Sequence, residues 1–167
     1  MGSTVKIFLM TIDENVLKFI KNHRVGVLAL PLEDGSPHAA TLHYSLHTDP
    51  LRFFFITSRK SRKVQGLIDK GEVKASFVIG VSWQEWVTVQ MDGLLRIVTN
   101  EEVLELAKAV HYANNPDSRA RDAEPFTYML SFEPTWWRYS NFQEKPPQII
   151  SSEPPAPEEE VYGDLYY

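Results

Sequence analysis

Apolar and polar side chains alternate along much of this 167-residue sequence, and the period of the alternation differs between segments. In residues 38–47 the period is two, which places successive side chains on opposite faces of a β-strand. In residues 13–22 apolar residues recur at helical spacing, with Asp13 as a favourable N-cap. These patterns predict six strands (25–32, 38–47, 51–58, 73–81, 87–98 and 128–142) and three helices (13–22, 61–70 and about 100–111).

The strands differ in how much of their surface is apolar. Residues 51–58 are almost all apolar, which is typical of a strand covered on both faces. Closure of such a sheet into a barrel removes the strand edges that would otherwise be exposed. The predicted fold class is therefore mainly β, an antiparallel β-barrel with flanking helices.

The end of the sequence has a different composition. Five of the eleven prolines lie between residues 146 and 157, and three glutamates follow them. A segment of this kind cannot bury enough surface to fold alone. We therefore predict a folded domain over residues 1–143 and a C-terminal tail over 144–167. The aromatic residues 161–167 either stay loose or dock on the domain or on a second copy.

Composition also limits the class of function. A net charge of -5 argues against general electrostatic binding of nucleic acid, so no nucleic-acid partner is expected. The chain has no cysteine, which excludes thiol catalysis and cysteine-ligated metal sites. No apolar run approaches the ~20 residues of a membrane span, so we expect no membrane partner and a cytoplasmic location.

A basic cluster stands where strand 51–58 meets the next helix. Four of the six residues 58–63 are Arg or Lys, although cations at a helix N-terminus oppose the helix dipole. A bound phosphate would resolve this conflict by accepting N–H groups and basic side chains. Thr57 and Ser61 add hydroxyl donors nearby. The alternative is a solvated basic turn with no ligand.

Several short motifs occur together in this sequence. They are Gly26-Val27-Leu28-Ala29, Gly35-Ser36-Pro37-His38-Ala39-Ala40, Phe54-Phe55-Ile56-Thr57, Ser61-Arg62-Lys63 and a later strand that carries Gly93. Over residues 13–142 this order resembles the pyridoxamine 5′-phosphate oxidase-like split barrels, which bind flavin mononucleotide (FMN). The resemblance implies a six-stranded antiparallel split β-barrel of Greek-key type.

The resemblance also implies a set of cofactor-binding residues. The most specific motif is a Thr followed, after three residues, by Ser-Arg-Lys, which contacts the FMN phosphate in the family. It assigns the phosphate to Thr57, Ser61, Arg62 and Lys63. The flavin ring is expected along Thr41, Leu42 and His43, with Ile56 beside them and Thr88 and Gln90 reaching it from another strand.

Two departures separate this chain from the vitamin B6 enzyme within that family. Ala40 and Ser45 stand where the true oxidases carry basic residues, so part of the phosphate neutralisation is missing. No histidine follows Tyr139, although the oxidases hold their substrate phosphate with a C-terminal Arg and His pair. The sequence therefore fits the broader branch of the family.

The function that these observations predict is that of an FMN-dependent oxidoreductase. It is expected to be a homodimer with FMN at the subunit interface, in which a small organic substrate exchanges a hydride with flavin N5. No side chain is assigned as a catalytic residue. The alternatives are a non-catalytic or regulatory flavin binder, or a split barrel that holds haem or a deazaflavin. Haem binding would depend on His43 or His111. No metal site is predicted.

Overall fold

The computed structural model describes residues 12–80, 82–119 and 126–153. The strands within these residues are β1 Val25–Pro31, β2 Pro37–His43, β3 Ser45–Thr48, β4 Leu51–Ser58, β5 Glu72–Ile79, β6 Val87–Ile97, β7 Thr127–Asn141 and β8 Gln148–Ser151. The helices are α1 Glu14–Asn22, α2 Arg62–Ile68 and α3 Glu101–Asn114, and a 3₁₀ helix covers Pro116–Ser118. The predicted fold class is confirmed, because the described strands form one antiparallel sheet.

The described residues form eight strands rather than the six predicted. The predicted strand 38–47 is interrupted at Tyr44, whose N–H donates to the carbonyl of Arg24. β2 therefore pairs with β1, whereas β3 pairs with β4. The other addition is β8, which lies within the predicted tail and pairs with residues 138–141 of β7. Residues 161–167, for which docking was predicted as one alternative, lie outside the described residues.

The order of the strands explains why the sheet curls. The order is β2-β1-β5-β6-β7-β4-β3, with β8 paired to β7. Its two end strands, β2 and β3, are consecutive in the sequence and are separated by Tyr44 alone. Because only one residue connects these two edge strands, the sheet must curl until its edges lie close together, as in the predicted split barrel.

An aromatic cluster fills the inside of the barrel. Phe53 lies edge-on to Phe77, with ring centroids 5.3 Å apart, and Phe77 contacts Phe55 and Phe132 in similar fashion. Tyr44 completes this cluster, and its hydroxyl donates to the carbonyl of Ile20 at 2.6 Å. The residue that interrupts the long strand therefore also attaches α1 to the barrel.

β4 is covered on its other face as well, as predicted. Phe54 is fully buried in a second apolar cluster with Met129 of β7 and Ala107 of α3. Asn100 is the N-cap residue of α3, and its side chain accepts from the N–H of Val103 at 3.0 Å. This packing places the C-terminal end of α3 beside the junction of β2 and β3.

α1 begins as the sequence predicts. The Asp13 carboxylate accepts from the N–H of Asn15 at 2.8 Å, and Val16 and Ile20 bury the apolar face of the helix. No helix among the described residues combines the length and the apolar character needed to cross a membrane.

Candidate functional site

Two hydroxyl groups meet where β4 ends and α2 begins. Oγ1 of Thr57 lies 3.1 Å from Oγ of Ser61. Ser61 is the N-cap residue of α2, yet its side chain makes no capping hydrogen bond. Both predicted phosphate-binding hydroxyls are therefore together, and the Ser61 side chain is not committed to the helix.

Lys63, in the first turn of α2 and two residues after Ser61, is the most unusual charged residue of this motif. Its side chain is buried, with 9% of the residue exposed. Burial lowers the pKa of the Lys63 ammonium, and no partner among the described residues offsets this effect. Desolvation without a counter-charge disfavours the charged form of a lysine, so an anion bound here would stabilise the ammonium. We call Thr57, Ser61 and Lys63 the phosphate cluster.

Arg62, the fourth residue predicted to bind the phosphate, also borders a second cleft. This cleft, of about 520 Å³, lies between α2 and the β1–β2 turn and is also lined by Asp34 and Gln65. Arg62 also helps to lower the pKa of the Asp34 carboxyl, although the larger cause there is the hydrogen bond from Ser36. Because successive residues of a helix point about 100° apart, the side chains of Arg62 and Lys63 leave α2 in different directions.

A cleft of about 640 Å³ adjoins the phosphate cluster at Thr57, and we call it the Thr57 cleft. Two further predicted residues, His43 and Ile56, line it. The other residues that line it are Ser58, His111, Asn114, Asn115, Pro116, Asp117, Ser118 and Thr127. Residues from β2, β4 and the end of α3 therefore meet in one place.

Ser45 and His111 form a buried pair next to this cleft. Nδ1 of His111 lies 3.0 Å from Oγ of Ser45, and the Asn115 amide donates to the same oxygen at 3.5 Å. The sequence predicted a role for His111 only in the haem alternative, and it missed Ser45 and Asn115. The turn signal Asn115-Pro116 marks the end of α3, but nothing local specifies which strand that end approaches.

The other predicted ring contacts lie on the outer face of the sheet. The strand register aligns Thr41 with Val27, Val27 with Val78, and Val78 with Gln90. The alignment continues from Gln90 to Arg138 on β7. We call these five aligned residues the outer row: Thr41, Val27, Val78, Gln90 and Arg138. Thr88 lies two residues from Gln90 on β6 and therefore faces the same side.

Leu42 points away from the outer row. Its side chain is partly buried and packs against the barrel core, because it alternates with the exposed Thr41 and His43. A ligand on the outer face would therefore meet the backbone of Leu42, whereas it would meet the side chains of its two neighbours.

The phosphate cluster and the β6 part of the outer row lie beside opposite ends of β7. Thr57 pairs with Tyr128 near the start of β7, whereas Gln90 pairs with Arg138. Ten residues of β7 separate these two positions, which corresponds to roughly 33 Å along a strand. The predicted cofactor residues therefore fall into two groups: His43 lines the Thr57 cleft beside the first, and Thr41 belongs to the outer row with the second.

No group of three or more His, Cys, Asp or Glu side chains within the described residues is arranged to hold a metal ion.

Comparison of structures shows a fold shared with several solved proteins. A pyridoxamine 5′-phosphate oxidase-related, FMN binding protein from Nostoc punctiforme matches with a TM-score of 0.61 and 15% identity, over 85% of this chain and 92% of that one. A protein related to general stress protein 26 from Clostridium acetobutylicum, of the pyridoxinephosphate oxidase family, gives 0.58 and 17%, over 84% and 95%.

A haem binding protein from Mycobacterium smegmatis has the same fold, with a TM-score of 0.64 and 16% identity. The match covers 80% of this chain but 55% of that protein, so this chain spans about half the length of that protein. At these identities the likeness concerns the fold alone.

Comparison of sequences gives the family. No match was found among curated proteins. The family model described as pyridoxamine 5′-phosphate oxidase matches residues 12–141, which include the whole barrel except β8. The resemblance found in the sequence is confirmed, and the chain belongs to the pyridoxamine 5′-phosphate oxidase family.

Proposed function

We propose that this protein binds FMN, with the phosphate held by the phosphate cluster and the flavin ring directed towards Thr41 and His43. The hydroxyls of Thr57 and Ser61 donate to phosphate oxygens, and the Lys63 ammonium neutralises part of the phosphate charge. FMN fits these residues because a phosphate accepts several hydrogen bonds and supplies the negative counter-charge that the Lys63 ammonium lacks in the described residues.

Burial of Lys63 without a counter-charge is the observation that carries the proposal. A desolvated ammonium is costly, and folded proteins keep such groups where a ligand or a partner compensates the charge. The nearby hydroxyls of Thr57 and Ser61 give the anion two neutral donors at hydrogen-bonding distance from each other. A solvated basic turn does not account for this arrangement, because the lysine would then extend into water.

A homodimer accounts for the separation of the two groups of residues. Measured along β7, the partners of Thr57 and Gln90 are further apart than the length of FMN, which supports ring contacts from a second copy of the chain. In the proposed dimer, Gln90 and Thr88 of the partner subunit approach the ring. The dimer is tested by the molar mass in solution, measured by light scattering. A monomeric holoprotein would contradict it.

The proposed reaction is hydride exchange between flavin N5 and a small organic substrate. When bound, FMN supplies the electron-accepting group, and the chain binds, orients and desolvates it. The Thr57 cleft lies next to the phosphate cluster and offers imidazole, amide and carboxylate groups to a polar substrate. Turnover with reduced nicotinamide or oxygen separates an enzyme from a regulatory flavin binder, which would show none.

The cofactor is tested first by the absorption spectrum of freshly purified protein, with the released chromophore identified by chromatography. FMN is expected, whereas a deazaflavin or a colourless protein that refuses added FMN would contradict the proposal. Lys63→Met should then weaken FMN binding by roughly tenfold to a hundredfold, because a hydrogen bond to a charged group contributes about 1.5–3 kcal/mol. The matched control is Lys60→Met, since Lys60 is an exposed lysine of the same turn.

Haem binding is the second candidate, and one observation favours it. His43 and His111, the two histidines named for that alternative, line the same cleft. A neutral imidazole is a common axial ligand of haem iron. Titration with haemin should then shift and sharpen its Soret band, and His111→Gln or His43→Gln should alter the shifted band. A wild type that leaves the band of free haemin unshifted, or a shift that is the same in both variants, would exclude this candidate.

A further inference from the structure

We infer that Arg138 is the cationic group that faces the pyrimidine edge of the flavin, and that it acts on the FMN bound to the phosphate cluster of the other subunit. This inference rests on the proposed function. It adds a residue that neither the motifs nor the Thr57 cleft include.

The position of Arg138 on the outer face follows from the strand register. Its neighbours Trp137 and Tyr139 belong to the barrel core, so alternation along β7 turns Arg138 outward. Arg138 pairs with Gln90 across β6 and β7. Paired residues on one face have Cβ atoms about 5 Å apart, so a ligand that reaches Gln90 also reaches the guanidinium.

The guanidinium of Arg138 has unused hydrogen-bonding capacity. Its Nε atom is buried and has no hydrogen-bond partner among the described residues. None of the ion pairs within those residues includes Arg138. The carboxylate nearest along the outer face of β6, Asp92, instead accepts from the hydroxyl of Ser76 at 2.6 Å. The Nε atom itself is closed to solvent, so an acceptor from outside the chain would meet the terminal N–H groups of this partly buried side chain.

The flavin ring supplies such an acceptor. Two electrons and one proton taken up at N5 convert the oxidised ring into a reduced ring with one negative charge, located at N1 and the adjacent carbonyl. A guanidinium there stabilises the reduced form more than the oxidised form, and its planar donors match a carbonyl beside a ring nitrogen. Lys63 acts on the phosphate, which keeps its charge in both redox states.

The first test is the midpoint potential of bound FMN in a dithionite titration. In Arg138→Gln the preference for reduced over oxidised FMN should fall at least tenfold, which for a two-electron couple is a drop of about 30 mV. Arg138→Lys, which keeps the charge but not the planar donors, should show a smaller drop. Arg96→Gln is the matched control and should leave the potential unchanged, because Arg96 is engaged with Glu72 and Glu133.

The second test asks which subunit supplies each residue. Mixed dimers of Lys63→Met and Arg138→Gln chains should contain one doubly altered site and one wild-type site. Half of the sites should therefore recover wild-type FMN affinity and potential. If both residues acted within one chain, no site would recover, and the assignment to the partner subunit would fall.

The outcomes separate this inference from the proposed function. If the wild type binds FMN but both Arg138 variants keep the wild-type potential, Arg138 does not face the ring and the proposed function stands. If the wild type binds no FMN, both fall together. Should Arg138→Gln fail to fold, the potential of Arg138→Lys and its mixed dimers decide the question.

Discussion

Oγ1 of Thr57 and Oγ of Ser61 lie 3.1 Å apart, at the point where the chain leaves β4 and enters α2. Thr57 is the last inward-facing residue of β4, and Ser61 is the N-cap residue of α2. The two hydroxyls are therefore held by two rigid elements, and the three residues between them form the turn. An anion that bridges the two hydroxyls needs little rearrangement of the chain.

Thr57→Val should weaken FMN binding by about tenfold or more, because it removes a hydroxyl donor to a charged phosphate and leaves the shape of the side chain almost unchanged. Fluorescence titration of the apoprotein measures the dissociation constant. Riboflavin, which lacks the phosphate, is the control ligand, and its affinity should not change. An equal loss for both flavins would mean that Thr57 acts on the ring or on the fold.

The lowered pKa of Lys63 predicts opposite effects of pH on stability and on binding. Between that lowered pKa and 10.5, the unfolded chain keeps a proton that the folded apoprotein releases. The free energy of unfolding of the apoprotein should therefore rise with pH in this window. FMN binding requires the ammonium, so its affinity should fall with pH over the same window.

Lys63→Met provides the comparison for this prediction. It lacks the titrating group, so the difference between wild type and variant isolates Lys63 from the other groups that titrate above pH 9. Denaturant titrations and FMN titrations at several pH values measure the two effects. Parallel pH profiles for the wild type and the variant would show that Lys63 is not the group responsible.

Tyr44→Phe should lower the free energy of unfolding by about 1 kcal/mol at neutral pH, because the hydrogen bond to the carbonyl of Ile20 is lost. Burial raises the pKa of the Tyr44 phenol. Above pH 10 the unfolded tyrosine ionises while the folded one keeps its proton, so the wild type should lose stability there and the variant should lose less. Urea denaturation at pH 7 and near pH 10.5 tests this, and a deficit equal at both pH values would contradict it.

Two adjacent isoleucines test whether β8 stabilises the barrel. Ile150 is partly buried against the core, whereas Ile149 is half exposed. Ile150→Ala should cost about 1–2 kcal/mol of stability, less than the 2–5 kcal/mol of a fully buried residue, and Ile149→Ala should cost under about 0.5 kcal/mol. Thermal and chemical denaturation measure both variants. Similar values for the pair would mean that β8 does not pack on the barrel in solution.

The sequence by itself predicted most of the elements and the motif to which we assign the FMN phosphate. Period-two and helical patterns gave the strands and helices, and the helix start at Asp13 followed from local capping chemistry. Thr57, Ser61 and Lys63 could be selected because they lie close together in the chain, and their chemistry does not depend on distant residues.

Only the tertiary structure decided which distant residues meet. The division of strand 38–47 at Tyr44, the pairing of β8 and the approach of His111 to Ser45 depend on contacts between residues far apart in sequence. Alternation along one strand shows which face a side chain occupies but not which strand lies next to it. The sequence therefore could not show that Arg138 lies beside Gln90. That follows from the register of β6 and β7.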